Sequence, residues 1–176
     1  MGEGGATLMK HLVRVLMFCL IAVKGSVVAH AEETATFGFK SLTPEVALEL
    51  ARATLVACRV AGYQTAVAVV DRNGILQVLL RDQLAGAHTP ETARRKAWTS
   101  ASFKEDTLSM MEVTQAGKPQ SGVRFISEAL MAGGGIPIEV EGAIVGAIGI
   151  SGAPGGEADH QCGEKGLEAI EDKLIF

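Results

Sequence analysis

The chain has 176 residues, of which 48% are hydrophobic and 20% are charged, and its formal net charge is −4. An apolar content near one half with so few charges argues against a disordered protein, and the acidic balance excludes a basic surface for nucleic acid. Because the chain has 21 glycines and only 5% aromatic residues, we expect a core of alanine and branched aliphatic side chains.

The first 31 residues have the pattern of a signal peptide. Lys10 and Arg14 precede an apolar run over residues 15–23, and small side chains stand just before Glu32. The run is well short of the roughly 20 residues that span a bilayer, so the pattern predicts cleavage before Glu32 and not a membrane anchor. We expect a periplasmic or secreted protein with no membrane span after processing.

The chain that remains after cleavage is more acidic and has the length of one domain. Removing residues 1–31 takes away three basic groups and one acidic group, which leaves 13 basic and 19 acidic groups. The remaining length of about 145 residues suffices for one hydrophobic core. We predict a flexible N-terminal segment at 32–41 and a single domain at 42–176.

The domain begins with a helix and a β-hairpin. Thr43 followed by Pro44 is a helix-start pattern, and apolar residues then recur at helical spacing until Gly62. Apolar strands are predicted at 65–70 and 75–81. The Asn-Gly pair in the four residues between them is typical of a tight hairpin turn, which requires antiparallel pairing.

The second half of the domain predicts a further helix and another hairpin. After a loop at 82–88, Thr89 and Pro90 begin a helix by the same Thr-Pro pattern, and short helical pieces are expected between 103 and 132. Strands at 136–140 and 143–150 form the second hairpin. Gly146 and Gly149 have no side chains, so they allow another part of the protein or a ligand to approach the second of these strands closely. A last helix is predicted over 157–174. The four strands should form one antiparallel sheet, with the helices at 44–61 and 157–174 covering a face of it.

Two cysteines follow the predicted cleavage site, and each lies in a predicted helix. Cys58 and Cys162 could form a disulfide in an oxidising compartment, or they could be separate buried thiols. The sequence does not supply the Cα separation that a disulfide requires, so both alternatives stay open.

The mature chain contains, in this order, the strings Val69–Gly74, Ala93–Thr99, Gly133–Ile138 and Gly146–Ala153, followed by Asp159, Cys162 and Gly163. Together they resemble the GlcG/HbpS-like family, whose relatives include an extracellular haem-binding protein and the C-terminal domain of PduO-type proteins. The resemblance implies an α/β (α+β) fold of the profilin-like type, in which an antiparallel sheet is flanked by helices. It also implies homo-oligomers, as dimers or larger assemblies.

Haem is the leading ligand that the resemblance implies. Haem binding needs an axial ligand, an apolar slot and cations for the propionates. His88 lies just before a helix with Arg94 and Lys96, so we take it as the candidate iron ligand, although a lone loop histidine is more often merely exposed. His160 is expected to be an exposed polar residue. The absence of Cys-x-x-Cys-His excludes covalent attachment of the c type.

Two other functions stay open. In an isomerase or tautomerase of organic acids, Arg81, Arg94 or Lys96 would hold a carboxylate while Asp71 or His88 moves a proton. Asp71 could instead cap its own turn, and Lys96 could be a buried cation paired with a carboxylate for structural reasons. The third function is a binding module without catalysis that reports a ligand to a membrane sensor.

The sequence therefore predicts an exported, oligomeric protein that binds a small molecule, with haem as the first candidate cofactor. A metal site on the last helix is not favoured. Its acidic residues, His160 and Cys162 lie at mixed spacings along the helix, so they cannot all point to one metal ion, whereas typical ligand pairs lie three or four residues apart. The predicted ligand-binding residues are Arg81, His88, Thr89, Arg94 and Lys96, with His88 on the haem iron.

Overall fold

The structure is a computed structural model that describes residues 35–174. The predicted signal peptide and its cleavage site lie outside these residues. The chain divides into two units between Phe37 and Gly38. Residues 35–37, the described part of the first unit, contain no helix or strand, and the second unit holds the described helices and strands.

The second unit is a four-stranded antiparallel sheet flanked by helices, which confirms the predicted fold class. Across the sheet, the strands lie in the order Leu76–Arg81, Ala66–Asp71, Ala143–Ser151 and Gly135–Val140, and each pairs antiparallel with its neighbours. No helix within residues 35–174 is long and apolar enough to cross a membrane. The strands are β1 Ala66–Asp71, β2 Leu76–Arg81, β3 Gly135–Val140 and β4 Ala143–Ser151; the helices are α1 Pro44–Val60, α2 Thr89–Phe103, α3 Thr107–Val113, α4 Gly156–Glu168 and α5 Glu171–Leu174, with a 3-10 turn at Ser121–Phe125.

The first hairpin forms because its turn residues satisfy one another. The Asp71 carboxylate accepts hydrogen bonds from the backbone N–H of Asn73 at 2.8 Å and of Ile75 at 2.9 Å. Gly74 has a φ of 80°, which a side chain would disfavour. The antiparallel pairing is therefore confirmed, and Asp71 has the turn-capping role that the sequence left open.

Helices α1 and α4 cover one face of the sheet, as predicted. Helix α1 starts where the sequence indicates, because the Thr43 hydroxyl accepts from Val46 N at 3.4 Å and Pro44 occupies the first turn. Between these helices and the sheet lies a core of branched aliphatic side chains, which includes Leu50, Ile148 and Ile150. Burial of such side chains stabilises the fold by roughly 1.5–3 kcal/mol each.

Helix α2 covers the other face and lies unusually close to it. The contact is made by small residues such as Ala93, Ala97 and Ala147. A Cβ at Gly149 would lie 2.1 Å from the Ala93 carbonyl oxygen, and one at Gly146 would lie 2.5 Å from that of Val70. Both glycines therefore serve the close approach that the sequence predicts, and at Gly149 the approaching element is α2.

Two helix boundaries differ from the sequence prediction. Thr89 does not cap α2; it is the first helical residue, and its hydroxyl donates to the Gly86 carbonyl at 2.8 Å, so His88 takes the cap position. The predicted last helix is two helices, α4 and α5, separated at Ala169 and Ile170. The break accompanies burial of Ile170, which is 2% exposed in the core.

The irregular segment before α1 contacts the sheet. The Leu42 N–H donates to the Val145 carbonyl at 3.0 Å, and the Leu42 side chain is buried. Lys40, within the N-terminal segment predicted at 32–41, pairs with Glu141 in the turn of the second hairpin. These contacts attach the chain to the β3–β4 hairpin just before α1 begins.

Candidate ligand-binding site

The loop at 82–88 is held in place by charged side chains. The Arg81 guanidinium donates from Nε to the Ala85 carbonyl at 3.0 Å and from Nη2 to the Gln83 carbonyl at 3.2 Å. Asp82, which is 3% exposed, accepts from Arg59 Nε at 3.0 Å. The loop therefore presents a defined surface next to the start of α2.

His88 is exposed at the end of this loop. Its backbone lies near the helical region (φ −78°, ψ −23°), and its side chain makes no capping hydrogen bond. A Cβ at Gly86 would lie 2.8 Å from Cε1 of the imidazole and 3.0 Å from Nδ1, so glycine makes room for the ring. Within residues 35–174 no hydrogen bond reaches the His88 imidazole, which leaves its chemistry available to a ligand.

Arg94 is already paired with two carboxylates. It donates from Nε and Nη2 to Glu91 at 2.8 and 2.7 Å, and from Nη2 to Glu128 Oε2 at 2.7 Å. These hydrogen bonds raise the pKa of the Arg94 guanidinium and lower the pKa of the Glu91 carboxyl. Because the two carboxylates outnumber the cation, this cluster does not attract a further anion.

Lys96 is buried on the inner side of α2. Its ammonium donates to Asp159 Oδ2 at 2.7 Å and to the Ile150 carbonyl at 2.9 Å, and both charged residues are 3% exposed. Burial raises the pKa of the Asp159 carboxyl, which also accepts from Ala153 N at 2.9 Å. Lys96 therefore has the structural role that the sequence left open, a buried cation paired with a carboxylate.

The glycine triplet packs around this ion pair. A Cβ at Gly134 would lie 2.7 Å from Cβ of Asp159 and 3.2 Å from Nζ of Lys96, and one at Gly135 would lie 2.4 Å from the Lys96 carbonyl oxygen. Three of the strings that carry the family resemblance thus meet at one buried centre. The position of Lys96 between Ala93 and Ala97 was the sequence signal for a buried cation. Sequence reasoning missed its partner Asp159, which lies 63 residues away along the chain.

The structure divides the five predicted residues into three places. Arg81, His88 and Thr89 share the loop at 82–88 and its boundary with α2. Arg94 lies on α2 in a carboxylate cluster, and Lys96 lies inside the domain. The loop is therefore the place where an exposed imidazole and a cation occur together, since no carboxylate of the described chain pairs with Arg81.

His160, which the sequence predicts to be exposed, is mostly buried in the structure. Its side chain is 15% exposed, and its Nε2 lies 3.7 Å from Glu164 Oε1. Its Nδ1 is buried and has no hydrogen-bond partner among residues 35–174. The expectation was wrong because α4 turns this position toward the domain. Among the residues that the structure covers, no three histidine, cysteine or carboxylate side chains group as a metal site.

An apolar groove of about 520 Å³ lies near the β3–β4 hairpin. Its volume is within the range of small-molecule sites. Lys40 and Lys173 stand at this groove, but each is paired with a glutamate, and no histidine, cysteine or methionine of the described chain lines it. The lining residues are Phe39, Lys40, Ser41, Leu42, Thr43, Val46, Val140, Val145, Lys173 and Leu174.

Comparison with known families identifies the relatives of this chain. Residues 42–168 match the family described as haem degrading protein HbpS-like. The chain belongs to the HbpS-like family. Its match spans α1 to the end of α4, so the sheet, the loop at 82–88 and the buried ion pair all lie within the shared region.

Solved HbpS-like structures and a curated relative agree with this assignment. The chain is similar to a double mutant of Streptomyces reticuli HbpS (35% identity, 77% of this chain and 90% of that chain, TM-score 0.71) and to a PduOC–heme complex (27%, 74% and 95%, TM-score 0.69). It is 29% identical over 124 residues to the corrinoid adenosyltransferase PduO of Citrobacter freundii, which covers 69% of this chain. The chain spans only 37% of that relative's length.

The donor groups of the loop fit haem better than those of the groove. A neutral imidazole is an ordinary axial ligand of haem iron, and propionates favour guanidinium groups. The loop offers both, and Leu84 within it is 77% exposed and adds apolar surface. The groove offers apolar surface without a common iron ligand.

Proposed function

We propose that this protein binds haem at the loop 82–88, with the His88 imidazole as the axial ligand of the iron. When bound, haem supplies the redox-active iron. The chain supplies an imidazole to position it, the Arg81 guanidinium to attract a propionate, and the apolar side chain of Leu84. Thr89 contributes indirectly, because its hydroxyl donates to the carbonyl of Gly86, the residue whose α-carbon side faces the imidazole.

The observation that carries the proposal is the exposed His88 imidazole without a hydrogen-bond partner in the described chain. Buried or bonded histidines are usually structural, whereas a ring that is supported by a tight loop and left free is available to a metal. Similarity to HbpS and to a haem complex of PduOC supports haem iron as the metal that His88 binds.

The organic-acid enzyme receives no comparable support. The Asp71 carboxylate is occupied by its own turn, and Lys96 is buried. Arg81 and Arg94 lie in separate clusters, so they do not form one carboxylate-binding set. The adenosyltransferase activity of PduO also does not transfer, because this chain spans little more than a third of that protein.

A hemin titration tests the proposed function. The chain should begin at Glu32, because His11 and His30 precede that residue and could bind hemin themselves. We expect saturable binding of one hemin per chain, and His88→Ala should weaken it by about tenfold or more, or about 1.4 kcal/mol. His160→Gln is the matched control, since it removes the other imidazole.

Two results would contradict the proposal. Wild-type protein that never saturates with hemin would show that haem is the wrong ligand. Saturable binding that His88→Ala leaves unchanged would remove His88 from the site and direct attention to the apolar groove near the β3–β4 hairpin.

We further propose that the protein is exported and processed before Glu32. The apolar run at 15–23 with its basic flank supports this proposal. Mass spectrometry of protein from a Gram-negative host should find a chain that begins at Glu32, whereas a full-length chain in the membrane fraction would contradict it. A homo-oligomer and a membrane sensor partner stay predictions, and light scattering with and without hemin tests the first.

A further inference from the structure

Helices α1 and α4 touch through a glycine. A Cβ at Gly166 would lie 1.9 Å from the Thr54 hydroxyl oxygen and 2.8 Å from the Thr54 Cβ, so the helices meet here at backbone distance. Farther along, Lys173 pairs with Glu49 at 2.7 Å. As the chain advances from Gly166 to Lys173, its partner moves back from Thr54 to Glu49, so the two segments run antiparallel.

The same register brings two cysteines face to face. Cys58 lies four residues after Thr54, and Cys162 lies four residues before Gly166. Residues four apart lie on the same face of a helix, about one turn along. Moving one turn in opposite directions along antiparallel helices therefore leads from the Thr54–Gly166 contact to Cys58 and Cys162.

The burial of both cysteines agrees with this register. Cys58 is 0% exposed and Cys162 is 4% exposed, and both belong to the core between the helices and the sheet. Both are free thiols in the structure.

We propose that Cys58 and Cys162 form an internal disulfide when the protein meets a small disulfide oxidant such as oxidised glutathione. A surface cleft of about 270 Å³ between α1 and α4 is lined by Cys162, with Tyr63 and Lys165, whereas Cys58 does not line it. Cys162 is therefore the thiol that the oxidant reaches first.

The thiol–disulfide exchange takes place in two steps. The Cys162 thiolate attacks one sulfur of the oxidant, the oxidant's S–S bond breaks, and one small thiolate leaves. The Cys58 thiolate then attacks Sγ of Cys162 and displaces the second small thiolate. The protons of the two cysteine thiols end on the two released small thiols, so the cysteines are oxidised and the oxidant is reduced.

Closing this bond would tie α1 to α4 across most of the domain. The segment between the cysteines includes the whole sheet, α2 and α3. A cross-link over such a long segment restricts the unfolded chain strongly. The disulfide should therefore raise the melting temperature of the oxidised protein by roughly 10 °C relative to the reduced protein.

Intact-mass analysis after alkylation tests the proposal. The Cys19→Ser chain removes the third cysteine; it is incubated folded with oxidised glutathione, then denatured and treated with iodoacetamide. We expect no alkyl group on the oxidised protein and two on a sample reduced beforehand. Adding Cys162→Ser is the control, in which Cys58 cannot form the internal bridge.

Other outcomes overturn the proposal. Two alkyl groups after oxidation, a lasting glutathione adduct on one cysteine, or disulfide-linked dimers would each show that the pair does not close within the chain. Should Cys162→Ser fail to fold, the melting temperatures of the oxidised and reduced Cys19→Ser chain still test the internal disulfide. Equal melting temperatures would contradict the cross-link.

Discussion

The buried centre at Lys96 lies on α2 and the exposed loop at His88 ends at the start of the same helix, yet their polar groups differ in whether they are paired. At the centre every charge faces a partner, with Lys96 held by Asp159 and the Ile150 carbonyl. In the loop, Arg81 donates only to uncharged carbonyls, and the His88 imidazole has no hydrogen bond, as far as residues 35–174 are concerned. Residues of the strings typical of the family therefore pair with one another inside the fold, whereas the loop keeps polar groups that the proposed ligand would use.

Breaking the buried pair should have the largest effect. Asp159→Asn leaves the Lys96 charge buried without a counter-charge, so the free energy of unfolding should fall by about 3–5 kcal/mol. Urea unfolding followed by circular dichroism measures it. Glu168→Gln breaks the exposed Lys165–Glu168 pair, which solvent screens, and should leave the unfolding midpoint nearly unchanged. Equal unfolding midpoints for the two variants would show that the buried pair is not what holds this centre.

Filling the contact between β4 and α2 should have the next largest effect. Gly149→Ala places a Cβ 2.1 Å from the Ala93 carbonyl oxygen, so α2 must move, at a cost of about 1–3 kcal/mol or more. Gly122→Ala is the matched control, because no atom lies within 4 Å of its added Cβ. If thermal melting finds the two variants equally stable, α2 does not pack on the sheet this closely.

Acidification should weaken the exposed Arg94 cluster slightly. The folded-state pKa of Glu91 lies below its ordinary value of 4.5 because Arg94 donates hydrogen bonds to it. Its contribution is therefore complete above pH 4.5 and is lost as the pH falls through the lower folded-state pKa. The group is exposed, so the loss should be only a few tenths of a kcal/mol. Urea unfolding against pH should show this loss in wild type but not in Glu91→Gln, and identical profiles would contradict it.

The elements that the sequence predicted are those fixed by nearby residues. The first hairpin depends on Asp71 and the Asn-Gly pair, which all lie within one turn. The start of α1 likewise depends on Thr43 and Pro44. These interactions can be inferred from the sequence because each donor and acceptor lies only a few residues apart.

The features that the sequence did not reveal depend on distant contacts. Lys96 and Asp159 are 63 residues apart, and no local pattern links them. The break before α5 follows from the burial of Ile170 in the core. His88 was selected from residue type and family resemblance, whereas its free imidazole and the support from Gly86 depend on the folded loop.

The central claim is that the His88 imidazole binds haem iron, and the visible spectrum of the His88→Ala complex tests it most directly. In a chain that begins at Glu32, this variant should show a shifted Soret band, and added free imidazole should restore the wild-type band by replacing the lost ligand. His160→Gln should match wild type throughout. A Soret band that is the same in wild type and His88→Ala, with or without imidazole, would contradict the claim.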